Sequence, residues 1–213
     1  RSPAIWLARL MGVPVHLQSD IAAIHGRARV ESVTLTTPSG PLELAADGVI
    51  VTGGFRPDAA LLRGSHLEVD AASGGPVIDA WGRLSDPVYF AAGNLLRGVE
   101  TAGWCWNEGR RIAGAILAAL EGRLPPRDGA RLHLAHPALR LALPQIVAPA
   151  VTGAPHDRLQ IRLAAPARGR LCLMQDGREL ASAPLDSLPE RRLSLPLPPA
   201  GTGALTLTIS EAP

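Results

Sequence analysis

The sequence predicts an α/β region followed by a small all-β, sandwich-like domain. Three observations carry that expectation. Val88, Tyr89, Phe90, Ala91 and Ala92 form a continuous apolar run of the kind shown by a parallel strand covered on both faces; it ends at Gly93-Asn94, and a helical stretch opens near Thr101. A second run, Val49-Ile50-Val51, stands in the same relation to Gly53-Gly54. Beyond Pro125-Pro126, helical patterning gives way to short alternating segments separated by turns such as Asp176-Gly177 and Pro198-Pro199-Ala200-Gly201.

The elements follow in order. Residues 1–17 read as a helix leading into a strand at Val13 to Leu17, with Ile5, Leu7, Leu10 and Met11 as packing positions. Val30 to Thr37 and Leu42 to Leu44 form an antiparallel pair across Pro38-Ser39-Gly40. After the Val49–Val51 strand, the two glycines permit backbone angles or close approaches that a side chain forbids, and Pro57 fixes the turn. Leu67, Val69, Val77 and Ile78 have strand-like spacing around Gly74-Gly75. The helix after Thr101 runs about 20 residues; its internal Gly109 and Gly114 weaken it in isolation and imply close packing. Leu159 to Leu163, Arg170 to Met174, Glu179 to Ala183, Leu193 to Leu197 and Leu205 to Ile209 supply the β segments. The expected domains are 1–55, 56–123, a linker at 124–145, and the β domain at 146–213.

Composition narrows the function classes. With 213 residues and 46% hydrophobic content the chain can bury one or two cores, and no apolar run approaches the roughly 20 residues of a membrane span. Net charge is +2, and every basic residue is arginine. The arginines are dispersed and aromatic residues make up 3%, so neither a basic patch nor a stacking surface for nucleic acid is present. Cys105 has no CxxC partner and Cys172 lies in a β segment; two unpaired thiols fit a reducing, cytoplasmic setting. His133 and His136 lack a nearby third ligand, and no metal site is expected.

Two segments together carry a family resemblance. Ser85-Asp86-Pro87 ahead of YFAAGN, with Thr101-Ala102 opening the next helix, resembles the flavin-contacting motif late in the pyridine nucleotide-disulfide oxidoreductase superfamily of two-dinucleotide flavoproteins. ADGVIVTGGFRPDAALL, Ala46 to Leu62, resembles that family's other late signature, where the chain crosses from the inserted NAD domain back to the FAD domain. The matches cover about residues 13–122. The resemblance implies an FAD/NAD(P)-binding Rossmann-like fold, of which this chain is the carboxyl-terminal part, and FAD as cofactor. It implies cofactor-binding positions at Gly53, Gly54, Gly93, Asn94, Thr101 and Ala102. Asn94 occupies the place of an acid that hydrogen-bonds the ribityl chain; it donates and accepts but carries no charge. The helix opened by Thr101 would face the pyrimidine end of the flavin, where its partial positive charge favours reduction by roughly 0.3–2 kcal/mol.

No GxGxxG fingerprint occurs in the chain, so NAD(P) use is possible but unsupported by a glycine loop, and the chain is expected to be the later portion of a longer flavoprotein, inactive alone. The absence of a dithiol and the Asn at position 94 place the nearer analogy with opine or hydroxyproline dehydrogenase-like and hydrogen cyanide synthase-like members. The implied reaction is hydride transfer to flavin from a small amine, amino-acid-like or hydroxyl substrate. An NAD(P)H-dependent flavin reductase and a non-catalytic scaffold or subunit-docking module stand as alternatives, with an electron acceptor or partner subunit as the possible macromolecular partner. The catalytic group is unassigned. Glu100 reads as a helix-capping acid or a substrate-facing group, Trp104 and Trp106 as core or flavin-stacking, Arg110 and Arg111 as a solvated face or an anion contact, and Glu190-Arg191-Arg192 as a solvated charge run.

Overall fold

A computed structural model describes residues 3–52, 54–148 and 152–210. The chain divides into two compact units, Arg1–Gly54 and Phe55–Pro213. Among the described residues no helix is long and apolar enough to cross a membrane.

The first unit holds α1 (Pro3–Leu10) and a three-stranded antiparallel sheet in the order β1 (Asp20–His25), β2 (Ser32–Thr37), β3 (Gly40–Ala45). The β2–β3 hairpin is the pair expected from the sequence, with Val33 opposite Leu44 and Leu35 opposite Leu42. Side chains two apart along a strand share a face, so this register gathers the apolar residues on one side, and Val33 is buried there. Thr37 closes the turn by donating its hydroxyl to the Gly40 carbonyl at 2.7 Å. The strand expected at Val13 to Leu17 is instead irregular chain, and β1 begins after it. Val49 to Val51 is also not a strand. Ile50 and Val51 are 95% and 83% exposed. A buried parallel strand needs hydrogen-bonded neighbours on its edges, and none among the described residues pairs with this run.

In the second unit, α2 (Ala60–Arg63) precedes a small hairpin in which Val69 bridges Pro76, the turn expected at Gly74-Gly75. Asp70 ties it, its Oδ2 accepting from the Ser73 N–H at 2.8 Å. Val88 to Ala92 is the second correction: only the Arg83–Phe90 antiparallel bridge is formed, and Val88 and Tyr89 are 76% and 46% exposed. The run is a short return loop rather than a sheet strand, for the same lack of partners. A single 3-10 turn at Gly93–Leu95 then leads through an irregular loop into α3 (Ala102–Leu120).

The helix α3 buries one stripe, Glu108, Ile112, Ala115 and Ala118, whose spacing of four, three and three residues keeps them on one face. Gly82 makes this docking possible: at φ +80 it turns the chain beneath the helix, and a Cβ there would stand 2.3 Å from Ile112 Cδ1. The expected tight packing at Gly109 and Gly114 is absent, because a Cβ at either meets nothing within 4 Å. Gly109→Ala is therefore expected to stabilise the protein by about 0.5–1 kcal/mol, the helix-propensity difference, read as a rise in thermal midpoint; a fall would show that this face is covered in solution.

The remaining strands form a sandwich. One sheet runs β10 (Leu193–Pro196), β7 (Arg158–Leu163), β5 (Leu139–Leu143); the other runs β6 (Ile146–Val147), β4 (Ala130–Leu134), β11 (Leu205–Ser210), β8 (Ala167–Gln175), β9 (Arg178–Ser187). All neighbours are antiparallel except β4 and β11. Gln175 pairs with Arg178, leaving Asp176 and Gly177 at φ 49 and 82, the pair of positive angles that a two-residue hairpin turn requires. Between the sheets Leu159, Ile161, Leu163, Leu173, Leu195, Leu205 and Leu207 are fully buried, each contributing about 1.5–3 kcal/mol over exposure. The stretch 124–145, expected as a linker, supplies β4 and β5, so the sandwich starts well before residue 146. Its alternation is hard to see in sequence because β5 is buried at four of its five positions. A buried pair secures the entry to it: Asp79 accepts from Arg83 Nε at 2.7 Å, and Arg83 donates on to the Pro125 carbonyl at 2.8 Å.

Candidate functional site

The expected site residues of the second unit gather at the start of α3. The loop from Gly93 to Glu100 is held closed by Asn94, whose Oδ1 accepts the Glu100 N–H at 2.9 Å while its Nδ2 reaches the Glu100 carbonyl at 3.5 Å. Asn suits this place because it supplies both a donor and an acceptor to the backbone of one residue, Glu100; an aspartate would supply only acceptors. The side chain is exposed, and its longer bond leaves amide hydrogens free to serve a ligand. Val99, in the same loop, has φ +65, a conformation that a β-branched residue rarely adopts.

Thr101 is the N-cap of α3 but makes no side-chain cap bond, and the first turn contains no acid. The first N–H groups of a helix have no intrahelical acceptor, so the exposed Thr101-Ala102-Gly103 segment presents open donors and the positive end of the helix dipole. Gly93 is buried at φ +70, with Cys105 Sγ 3.4 Å from the position of a Cβ. Its N–H points inward, donating to Glu108 Oε2 at 2.6 Å. Gly54 belongs to the first unit, and Gly53 lies outside the described residues.

Behind the loop stands an ion network that the sequence did not announce. Arg97, 1% exposed, donates from Nε to Glu100 at 3.2 Å and from its two terminal nitrogens to Glu108 at 3.2 and 3.1 Å. Arg162 of β7 and Arg192, immediately before β10, each donate to the opposite oxygens of Glu100. Gln160 Nε2 completes Glu108 at 3.2 Å. The sandwich thus grips the loop and the helix through charges removed from water, where a lost partner is expensive. Glu100 is neither a helix cap nor a free substrate-facing group; it is the hub of the network. Glu190, Arg191 and Arg192 are all exposed, as a solvated run requires, but two of them are also partnered: Arg192 pairs with Glu100 and lies over the Trp104 ring at 3.9 Å, and Glu190 pairs with Arg140. Trp104 and Trp106 are 43% and 69% exposed, so neither is core among the described residues.

Burial tends to raise the Glu108 carboxyl, but Arg97 and the Gly93 N–H outweigh it and hold it below its ordinary 4.5. Burial lowers His156 from 6.5 to about 4, with Glu108 opposing and Arg97 reinforcing. Its Nδ1 lies 3.8 Å from Glu108 Oε1, and neither ring nitrogen has a hydrogen-bond partner among the described residues. One sequence signal pointed here: Glu108 sits on the same helical stripe as Ile112, Ala115 and Ala118, where an unpaired charge is not tolerated. Its partners come from positions 97, 160, 162 and 192, and no local pattern links them.

Residues 7–109 match the family model of pyridine nucleotide-disulphide oxidoreductases, a stretch that takes in the Gly93–Glu100 loop and the first turns of α3. That family generally binds flavin and nicotinamide nucleotides. No curated protein matches the chain. Among solved structures, a thioredoxin reductase from Gloeobacter violaceus is 26% identical over 58% of this chain and 40% of that chain, with a TM-score of 0.31. The aligned region spans less than half the length of that reductase.

Proposed function

We propose that this chain forms part of the flavin site of an FAD-dependent oxidoreductase that takes a hydride from a small amine, amino-acid-like or hydroxyl substrate. The observation that carries the reading is the uncapped, exposed N-terminus of α3, presented by a loop that Asn94 closes from one side and Arg97, Glu100 and Glu108 hold from the other. The residues present fit the cofactor's pyrimidine end, since a helix start without a capping side chain or first-turn acid leaves open donors suited to an electron-rich carbonyl group. Ala102 and Gly103 would donate backbone N–H groups, Thr101 its hydroxyl, and Asn94 its amide hydrogens. Gly93 contributes indirectly, by allowing the chain to turn tightly against Cys105. Bound FAD would supply the hydride-accepting chemistry itself.

What the protein contributes is orientation and charge. The dipole of a 19-residue helix favours negative charge at its start, and burial of the ion pairs fixes where that start points. The sandwich belongs to this machinery through Arg162 and Arg192, which favours an integral role for it over a detached docking module.

The test is flavin content in the protein expressed from its complete coding sequence. Asn94→Leu removes both bonds that close the loop and is expected to lower the flavin-to-protein absorbance ratio at least ten-fold, while Asn94→Asp, which keeps the bond to the Glu100 N–H, is expected to retain part of it. Full flavin occupancy in Asn94→Leu would reject this placement of the site.

A further inference from the structure

A cavity opens on the sandwich side of Trp104, between α3, β7 and β10, with a volume of about 310 Å³. Trp104 and Arg111 line it from the helix, Arg158 from β7, and Arg192 and Ser194 from the β10 side, with Pro155 closing one wall. Its volume lies at the lower end of the range for small-molecule sites, about 300–1,000 Å³.

The charges are unequal. Three arginines face the cavity against a single lining carboxylate, Asp157, which Arg111 meets only at 3.9 Å. A second hollow on the same helix shares Trp104 and Arg111 and adds Arg110. Arg158 is pre-positioned, its Nε donating to the Ser194 hydroxyl at 2.9 Å, and Arg192 is braced between Glu100 and the Trp104 ring. Under the floor lie both nitrogens of His156, without partners among the described residues, and the N–H of its neutral imidazole is a donor from which a carboxylate could accept. Buried polar atoms in that condition are uncommon and mark ground that an added polar group would stabilise.

We propose that this cavity binds a small organic carboxylate. Guanidinium forks match a planar carboxylate with two parallel hydrogen bonds, and the indole and proline walls provide an apolar bed for the body that carries it. A bare inorganic oxyanion would use the arginines but leave those walls unfilled. The proposal does not depend on flavin: Arg111, Arg158 and Ser194 take no part in the loop that carries the cofactor reading.

The test titrates the 213-residue protein with benzoate at low ionic strength, by calorimetry. Saturable binding at one site per chain is expected. Arg111→Gln and Arg158→Gln, both at exposed side chains outside the buried network, are each expected to weaken it at least ten-fold with unchanged thermal midpoints. Inorganic phosphate is expected to compete only at ten-fold or greater excess over benzoate. Absence of saturable binding, or binding that neither substitution weakens, would overturn the site. Phosphate competing as well as benzoate would overturn the carboxylate assignment. Neither result bears on flavin content, so the two readings fail separately.

Discussion

Arg97→Met is expected to destabilise the second unit by about 3–5 kcal/mol, the usual consequence of removing one partner from a buried ion pair. The side chain is 1% exposed and serves two carboxylates at once, Glu100 and Glu108, whose own side chains are 0% and 2% exposed. Methionine fills much of the space but leaves Glu108 with the Gly93 N–H and Gln160 as its remaining hydrogen-bond donors, neither of them charged. Since a domain is commonly stable by only about 5–15 kcal/mol, the loss would consume a large share of it. Urea unfolding monitored by circular dichroism is the measurement. A midpoint within error of the unmodified protein would show that the network is not closed to water in solution. Arg168→Ala is the matched control: its pair with Asp186 is 82% and 70% exposed, and its removal is expected to leave the midpoint unchanged.

Stability is expected to fall steeply between pH 6.5 and pH 4, by about 3 kcal/mol from His156 alone. The folded protein holds this imidazole neutral down to about pH 4, whereas the unfolded chain protonates it near 6.5. In that window the unfolded state binds more protons, so acid favours unfolding and stability rises with pH. Below about pH 4 the penalty is complete; above 6.5 it vanishes. Glu108 acts in the same direction at lower pH, because its folded carboxyl titrates below 4.5 and the unfolded one takes up a proton first. His156→Phe removes the first contribution along with two unpartnered buried nitrogens, so the variant is expected to show a flatter profile from pH 6.5 to 4 without loss of stability at pH 7. Thermal midpoints across that range decide the matter. A slope identical in the variant and the parent protein would assign the acid sensitivity elsewhere.

Local pattern was enough wherever neighbours in sequence are also partners in space. The β2–β3 hairpin, the Asp176-Gly177 turn, α3 opening just after Thr101 and the five β segments after residue 158 all lie where alternation, helical spacing and turn residues put them. The apolar runs at Val49 to Val51 and Val88 to Ala92 misled for the opposite reason: a parallel strand exists only through partners distant in sequence, and among the described residues those partners are missing. The run at β5 was missed because a strand buried on both faces has no alternation to reveal it.

The sequence by itself carried the resemblance of residues 7–109 to pyridine nucleotide-disulphide oxidoreductases, through the spacing of YFAAGN and Thr101-Ala102 after the GVIVTGG run, and it marked the β segments after residue 158. Only the tertiary structure decided that the sandwich is bound into the candidate site. Glu100 and Glu108 lie eight residues apart, while Arg162 and Arg192 lie 62 and 92 residues from Glu100, and nothing in the intervening chain marks them for one another. Their pairing follows from burial: once α3 docks its Glu108 stripe and β7 and β10 close over the loop, each carboxylate removed from water requires a guanidinium or amide within reach, and the fold satisfies that demand with whichever strands bring one there.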